Sequence, residues 1–243
     1  MTENPFQKIR RFRVLENRSE SPRIFTLTLV PESPEDIFDY DPGQWVFLHL
    51  HNEDGSTWKA PFSIATAPQD AMEGLEFTIK IYKDFTMRAS QLPVGETVGI
   101  QGPFGVFTPG EEESSFVFFA SGIGITPFVS MIRSFKFREQ RPRVTLFYSV
   151  RELENFLLRQ EFEQLAQEWP EFKLVFIMTG EAPEGWSGER GRLDAGMFDR
   201  HAPDLGDAVC LACGKPEFVT AVRGMLEAKG FDVKTRFRTE MFG

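Results

Sequence analysis

Two cysteines, three histidines and no long apolar run set the first limits on this 243-residue chain. With only Cys210 and Cys213, a disulfide scaffold is excluded, and the cytoplasm is the default compartment. Their C-x-x-C spacing invites a redox or zinc reading. Both lie in an apolar run, Ala208–Cys213, that reads as a strand, and positions three apart on a strand face opposite ways. A zinc site needs two further ligands, and the histidines offer no matching pair. His49 and His51 share a strand face without acidic or cysteine companions, which favours a surface or structural role. No stretch approaches the ~18 apolar residues of a membrane span. No apolar run follows Met1, so no signal peptide is expected. Net positive charge is also lacking. The formal charge is −9, spread evenly, which argues against nucleic acid as a partner because phosphate binding needs a basic face. Tyrosine is scarce, at 3 copies, but phenylalanine reaches 26, which points to a Phe-rich core.

Two local basic clusters stand against the acidic balance. One holds Lys8, Arg10, Arg11, Arg13, Arg18 and Arg23; the other holds Arg133, Lys136, Arg138, Arg141 and Arg143. Each fits either a solvated surface or a dock for an acidic partner.

The chain is long enough for one large or two small domains, and its pattern changes near residue 108. Before that point, short runs rich in β-branched and aromatic residues alternate with turns such as Pro42-Gly43 and Asp54-Gly55. The candidate strands are Phe12–Arg18, Ile24–Val30, Trp45–His51, Trp58–Ala65, Leu75–Tyr82 and Thr97–Gln101, with a short helix over Thr86–Leu92. Six short strands at this spacing predict an antiparallel barrel over residues 1–108. The acidic stretch 109–115 reads as a linker. From Phe116, strands and helices alternate, which predicts a doubly wound parallel sheet over 116–243. Strands are expected at Phe116–Ala120, Val144–Val150, Lys173–Met178, Ala208–Cys213 and Val233–Thr239. Helices are expected near Thr126, across Leu158, Phe162, Leu165, Ala166 and Trp169, and from Pro216 to Lys229 with Gly230 as its stop.

The strongest local signal is Gly122-Ile123-Gly124-Ile125-Thr126-Pro127, directly after a strand. Glycines let a backbone approach a pyrophosphate, and a new helix offers it free N–H groups and the positive end of its dipole. Thr126 can cap that helix and Pro127 fits its first turn. G-x-G-x-x-G is not met, since Pro127 stands at the third glycine, so a plain tight turn is the competing reading. The second signal, Cys213-Gly214-Lys215-Pro216-Glu217-Phe218, also follows a strand. Both fall at carboxyl ends of strands, where open parallel sheets bind ligands.

The order and spacing of several motifs, nearly end to end, resemble the ferredoxin–NADP+ reductase family. Pro42-Gly43-Gln44 resembles its barrel signature, Pro61-Phe62-Ser63-Ile64 its R-x-Y-S, and Gly102-Pro103-Phe104-Gly105 its G-P-x-G. Gly122–Pro127 resembles G-x-G-x-[AT]-P, Tyr148-Ser149-Val150-Arg151 Y-G-x-R, and Cys213–Phe218 C-G-P-P-x-M. Glu240-Met241-Phe242 resembles an acid-x-aromatic ending. The resemblance implies a six-stranded antiparallel flavin-binding barrel followed by a doubly wound parallel-sheet nicotinamide-binding domain. It implies a reductase that passes electrons from NADH or NADPH through FAD to a separate acceptor: ferredoxin, flavodoxin, another small carrier or a small molecule.

By the same resemblance, Phe62 would pack on the flavin ring and Ser63 would hydrogen-bond near its N5. Ile64 and Ala65 would offer backbone groups, and Thr86 would meet the flavin pyrophosphate. Gly122, Gly124, Thr126 and Pro127 would hold the nicotinamide cofactor's pyrophosphate, with Ser149, Arg151 and Thr179 around its ribose and phosphates. Cys213 and Gly214 would flank the nicotinamide, Glu240 would assist proton movement, and Phe242 would lie near the stacking region. Taken alone, Phe62 reads better as a core aromatic, Ser63 as a strand hydroxyl and Cys213 as a buried small apolar residue.

Departures from the family pattern carry their own implications. Ala60 replaces the arginine that pairs with the flavin pyrophosphate, and Lys59 is expected on the opposite strand face. Asp84 or Phe85 replaces a glycine before the short helix, leaving Arg88 to supply charge; weaker FAD binding, or FMN, follows. Four cluster-binding cysteines are absent, so the acceptor is expected to be a separate molecule. Thr179-Gly180-Glu181 lacks the arginine that reads a 2′-phosphate, which favours NADH. Ser149, Arg151, Arg190 and Arg192 stand near the same edge as the counter-argument. Two alternatives complete the reading: a flavin subunit of a larger redox complex, and a nucleotide-binding module without flavin.

Overall fold

The computed structural model describes residues 8–51, 55–202 and 204–242; Asp54 of the expected Asp54-Gly55 turn lies outside them. Alternation builds the first sheet. In β1 (Ile9–Ser21), Arg10, Phe12 and Val14 turn inward while Ile9, Arg11 and Arg13 face solvent. The strands β2 (Ile24–Pro31), β3 (Trp45–His51), β4 (Thr57–Ser63), β5 (Leu75–Lys80) and β6 (Thr97–Phe104) complete an antiparallel sheet ordered β4-β3-β6-β1-β2-β5. Its end strands meet where the Ala65 N–H, just past β4, donates to Glu76 O of β5 at 2.9 Å. Closing the barrel there removes exposed sheet edge. Phe12, Leu27, Leu29, Leu48, Phe77 and Val98 fill the interior.

Arg10, expected within a basic cluster, is 7% exposed. Its Nη1 donates to Gly102 O at 3.0 Å and its guanidinium lies over Phe38. The inward phase of β1 decides this, whatever the side chain's charge.

The second sheet is parallel throughout. β7 (Ser115–Ser121), β8 (Arg143–Val150), β9 (Phe172–Met178), β10 (Glu189–Arg190), β11 (Val209–Gly214) and β12 (Phe237–Met241) run in the order β10-β9-β8-β7-β11-β12. From β7 the chain steps outward through β8, β9 and β10, then returns to place β11 and β12 on the other side. The direction of winding therefore switches between β7 and β11, the position at which such sheets bind ligands. The helices are α1 (Asp84–Ala89) in the barrel portion, then α2 (Thr126–Ser134), α3 (Arg159–Glu168), α4 (Ala195–His201) and α5 (Pro216–Ala228). Phenylalanine supplies the packing: Phe119, Phe147 and Phe198 stack, with Phe119 and Phe147 5.3 Å apart and 7° from parallel. Burying each such ring contributes roughly 1.5–3 kcal/mol.

Contacts divide the chain into two compact units. One comprises Met1–Pro109 and Thr126–Phe137; the other comprises Gly110–Ile125 and Arg138–Gly243. Helix α2 thus belongs with the barrel, although it follows β7 in the chain. The acidic stretch before β7 is fixed within the second unit. Glu113 takes a hydrogen bond from the Gly110 N–H at 2.6 Å and from Arg238 Nη1 at 2.8 Å, while Arg138 donates to the carbonyls of Gly110 and Glu113. Burial opposes ionisation of Glu113, but the hydrogen bonds from Arg238 and Gly110 outweigh it and hold the carboxyl below its ordinary range.

Among the described residues no helix is long and apolar enough to cross a membrane. Among those residues, too, no group of three His, Cys, Asp or Glu is placed to hold a metal ion.

Candidate functional site

In the barrel, β4 pairs with β3 so that Phe62 faces Val46 and Ser63 faces Trp45. Phe62 is half-buried and stacks on Phe85 of α1, with centroids 5.7 Å apart and planes 28° from parallel. The two rings make an aromatic surface of the kind a flat heteroaromatic ring can share. Ser63 is 4% exposed. The next residues commit their N–H groups internally: Ile64 donates to Gln44 O at 3.0 Å and Ala65 to Glu76 O at 2.9 Å.

Thr86 is equally committed. Its hydroxyl oxygen accepts from the N–H groups of Tyr82 and Lys83 and donates to Lys83 O, closing the turn ahead of α1. Lys59 does point away from Phe62, and its Nζ lies 4.6 Å from the Phe47 ring centroid. Lys59 therefore does not take the place of the missing arginine at Ala60 on β4. Exposed Lys83 and Arg88, with half-buried Lys80, supply positive charge around α1 instead.

In the second unit, both glycine motifs leave the carboxyl ends of neighbouring strands. A 3-10 turn, Gly122–Ile125, follows β7 and runs directly into α2, so Thr126 is the first residue of that helix. Gly122 adopts φ +56°, a left-handed conformation glycine takes without cost, and a Cβ there would meet open space. Gly124 is used differently: a Cβ would collide with the carbonyl of Cys213 and approach Gly214 N at 2.9 Å. Its small size lets the turn sit against β11. Gly214 likewise admits Ser121, whose Cβ a side chain would meet at 2.9 Å. Gly122 leaves an open backbone cradle of the chemistry a pyrophosphate requires. The residues present thus fit a dinucleotide here, and the Phe62–Phe85 surface fits a flavin ring.

Cys213 is fully buried and pairs in register with Ala120 of β7 and Glu240 of β12. Burial pushes its thiol pKa well up and the charge of Glu240 adds to this, so the sulfur is held neutral. Cys210, also buried, is pushed up to about 12, chiefly by burial. Just past β12, the Phe242 N–H donates to Gly214 O at 3.1 Å and ties the C-terminal segment to the Cys213 turn.

At the far side of the edge, Ser149 is buried at the end of β8 and Arg151 is exposed beyond it. Thr179 donates through its hydroxyl to Val150 O at 3.1 Å. The Gly180 N–H donates to Arg151 O, and a Cβ on Gly180 would collide with that carbonyl. Glu181 and Arg192 are exposed; Arg190 braces the preceding turn by donating to Trp186 O at 3.3 Å.

Sequence reasoning missed a buried polar group next to the flavin motif: Tyr40, Thr66, Ser130 and Arg133 with Glu76. Tyr40 and Ser130 both donate to Thr66 O, and Arg133 reaches Ala65 O and Glu76. The available signal was the recurrence of polar residues at Thr126, Ser130 and Arg133 on an otherwise apolar helix.

Comparison with known proteins places both halves. The oxidoreductase FAD-binding domain family matches residues 11–108 and the oxidoreductase NAD-binding domain family matches residues 118–224. The glycine betaine monooxygenase reductase subunit of Pseudomonas aeruginosa is 29% identical over 214 residues, 85% of this chain and 57% of that one. NADH-cytochrome b5 reductase 1 of Mortierella alpina is 26% identical over 233 residues, 93% of this chain and 76% of that one. The chain thus spans little more than half of the first of these relatives. In structure, the FAD/NAD-binding domain of nitric oxide dioxygenase from Vibrio cholerae superposes with TM-score 0.85 at 22% identity, covering 96% of this chain and 98% of that one. A ferredoxin NADP+ reductase from Neisseria gonorrhoeae, solved with FAD and NADP, gives TM-score 0.81 at 20% identity, with 96% and 98% covered. At these identities the structural matches establish the fold alone.

Proposed function

The chain belongs to the ferredoxin–NADP+ reductase-like flavoprotein oxidoreductases, and on that premise we propose that it carries electrons from NADH through bound FAD to a separate redox protein. The observation that carries this reading is the placement of Gly122–Gly124 and Cys213–Gly214 at the ends of adjacent strands β7 and β11, where the sheet's winding reverses. FAD, when bound, supplies the two-electron chemistry that no side chain here provides.

The chain's own residues take binding, positioning and proton-handling roles. Phe62 and Phe85 would offer the aromatic face for the flavin ring, and Ser63 would hydrogen-bond near its N5. Thr86 shapes the turn that brings the charges of Lys83 and Arg88 toward the flavin pyrophosphate. The backbone of Ile64 and Ala65 would shape the site by being held in place: their N–H groups donate to Gln44 O and Glu76 O, and Ala65 O accepts from Arg133. Gly122, Gly124, Thr126 and Pro127 take the dinucleotide's pyrophosphate, with Ser149, Arg151 and Thr179 at its outer end. Cys213 would set a neutral, polarisable sulfur beside a bound nicotinamide, Glu240 would assist proton movement, and Phe242, tied to Gly214 O, would lie near the stacking region.

NADH is preferred because Glu181 follows the Thr179-Gly180 turn. A carboxylate repels a 2′-phosphate but accepts hydrogen bonds from a free ribose. The acceptor belongs to the class named in the relatives, a monooxygenase component or a cytochrome. A second reading, a reductase subunit docked in a larger assembly, is favoured by the first relative's designation as a subunit. The buried, free Cys210 and Cys213 fit a cytoplasmic setting. Acid release from purified protein should yield FAD, and kcat/KM with an artificial acceptor should favour NADH. A clear NADPH preference that disappears in Arg151→Ala or Arg190→Ala would overturn the Glu181 argument. Co-purification with a partner needed for turnover would select the subunit reading.

A further inference from the structure

Helix α2 is apolar except along one stripe. Thr126, Ser130 and Arg133 fall at i, i+4 and i+7 and so share a face. The middle and end of that stripe are bonded to the segment that follows Phe62 and Ser63. Ser130, fully buried, donates to Thr66 O at 2.6 Å. Arg133 Nη1 donates to Glu76 Oε2 at 2.6 Å and to Ala65 O at 3.3 Å. Thr66 is fixed further: its carbonyl accepts from Tyr40 Oη at 3.0 Å, its hydroxyl donates to Gly74 O at 3.1 Å, and the Glu76 N–H donates to that hydroxyl oxygen at 2.7 Å. On another face of the helix, Met131 lies where a Cβ on Gly43 would be, so the Pro42-Gly43 turn holds the helix closely.

This group joins two ends of one element. The first turn of α2 carries Thr126 and Pro127, and Arg133 lies about 10 Å further along at 1.5 Å per residue. In a close-packed interior with every partner engaged, a shift at the start of the helix cannot be absorbed by a void and passes to the atoms bonded to it. We propose that Ser130 and Arg133 are positioning residues that transmit occupancy of the first turn of α2 to the segment Phe62–Thr66, so that a dinucleotide there shifts the redox equilibrium of the bound flavin. The inference rests on the functional reading above, and adds that the two cofactors are energetically linked through this helix.

The test uses the flavin-loaded protein and ADP-ribose, a probe that lacks the nicotinamide and so cannot act on the flavin through that ring. The readout is the flavin's two-electron midpoint potential, measured spectroelectrochemically with and without saturating ADP-ribose. The wild-type protein should show about a tenfold difference in ADP-ribose affinity between oxidised and reduced forms, equivalent to a shift of about 30 mV. In Arg133→Gln, and in the milder Ser130→Ala, the shift should vanish while ADP-ribose still binds the oxidised protein within about threefold of wild type. Arg133→Lys, which keeps the charge opposite Glu76 but not the fork, should recover part of it. An equal shift in both variants, or no shift in the wild type despite binding, would overturn the proposal. Failure of ADP-ribose to bind at all would overturn the functional reading and the proposal together.

Discussion

In the barrel, the segment Phe62–Thr66 has much of its backbone already bonded, to Gln44, Glu76, Tyr40 and Ser130. In the parallel sheet, Gly122 holds a left-handed turn in which an added Cβ would meet open space. On the proposed reading, the first arrangement would leave recognition to ring faces and a few side chains, and the second to bare backbone and the start of a helix. On that reading, exposed Lys83 and Arg88 around α1 would have to supply the charge that Ala60 removes from β4, and FAD binding weaker than with a strand-borne arginine is expected. In the parallel sheet the steric demand for glycine is sharp at Gly124, where a Cβ would strike the Cys213 carbonyl.

Breaking the glycine side should have the largest effect. Gly124→Val forces backbone against backbone and should cost about 3 kcal/mol or more of stability, the upper end for overpacking, with loss of NADH-driven flavin reduction. Gly122→Ala meets open space and carries only the left-handed penalty of roughly 1–2 kcal/mol. Thermal melts and flavin reduction rates of the two variants check the order; equal effects would dissolve the distinction between cradle and packing glycine.

The next effect separates the two cysteines of one strand. Cys213→Ala should slow flavin reduction roughly tenfold, about 1.4 kcal/mol, with flavin content unchanged. Cys210→Ala, which trims only the core around Phe119 and Phe147, should leave the rate alone. Stopped-flow rates at saturating NADH decide, and equal rates for both would reduce Cys213 to packing.

A smaller, pH-dependent effect tests the clasp that holds β12. Glu113 titrates below its ordinary 4.5 in the folded protein. Its ionised form therefore stabilises the fold above about that pH, and the contribution is lost as pH falls through the lower folded value. Urea midpoints followed from neutral pH down through the carboxylate range should fall more steeply for the wild type than for Glu113→Gln. Parallel curves would remove Glu113 from the account. Smallest of all, Lys59→Gln should cost about 0.5–1 kcal/mol of cation–π contact with Phe47 and leave FAD affinity unchanged. Arg88→Gln should weaken FAD binding by a few fold, as an exposed ion pair does.

The regular parts of both sheets were legible because side-chain period and turn residues agree. Trp45–His51 was read to the residue, and α5 ends at Ala228, just before Gly230, whose φ of +73° turns the chain as its glycine suggests. The last strand begins at Phe237, not Val233, because Asp232 accepts from the N–H groups of Lys234 and Thr235 and folds a β-branched stretch into a turn. Strand β10 has two residues, too few for any period to show, and α4 has seven; its one sign was Asp194, whose carboxylate caps Met197 N at 2.8 Å. At the site, the glycine positions were readable from their own chemistry. The commitment of Thr86 to its local turn, and of Ser130 and Arg133 to Thr66 and Ala65, depends on partners far away in the chain, which spacing alone does not reveal.

If one chain holds a flavin and reduces it with a nicotinamide dinucleotide, anaerobic mixing of the purified, flavin-loaded protein with one equivalent of NADH shows it in a single turnover. The oxidised flavin absorbance should bleach, faster with NADH than with NADPH. A protein that binds FAD but keeps its oxidised spectrum in the presence of both dinucleotides would contradict the proposed function.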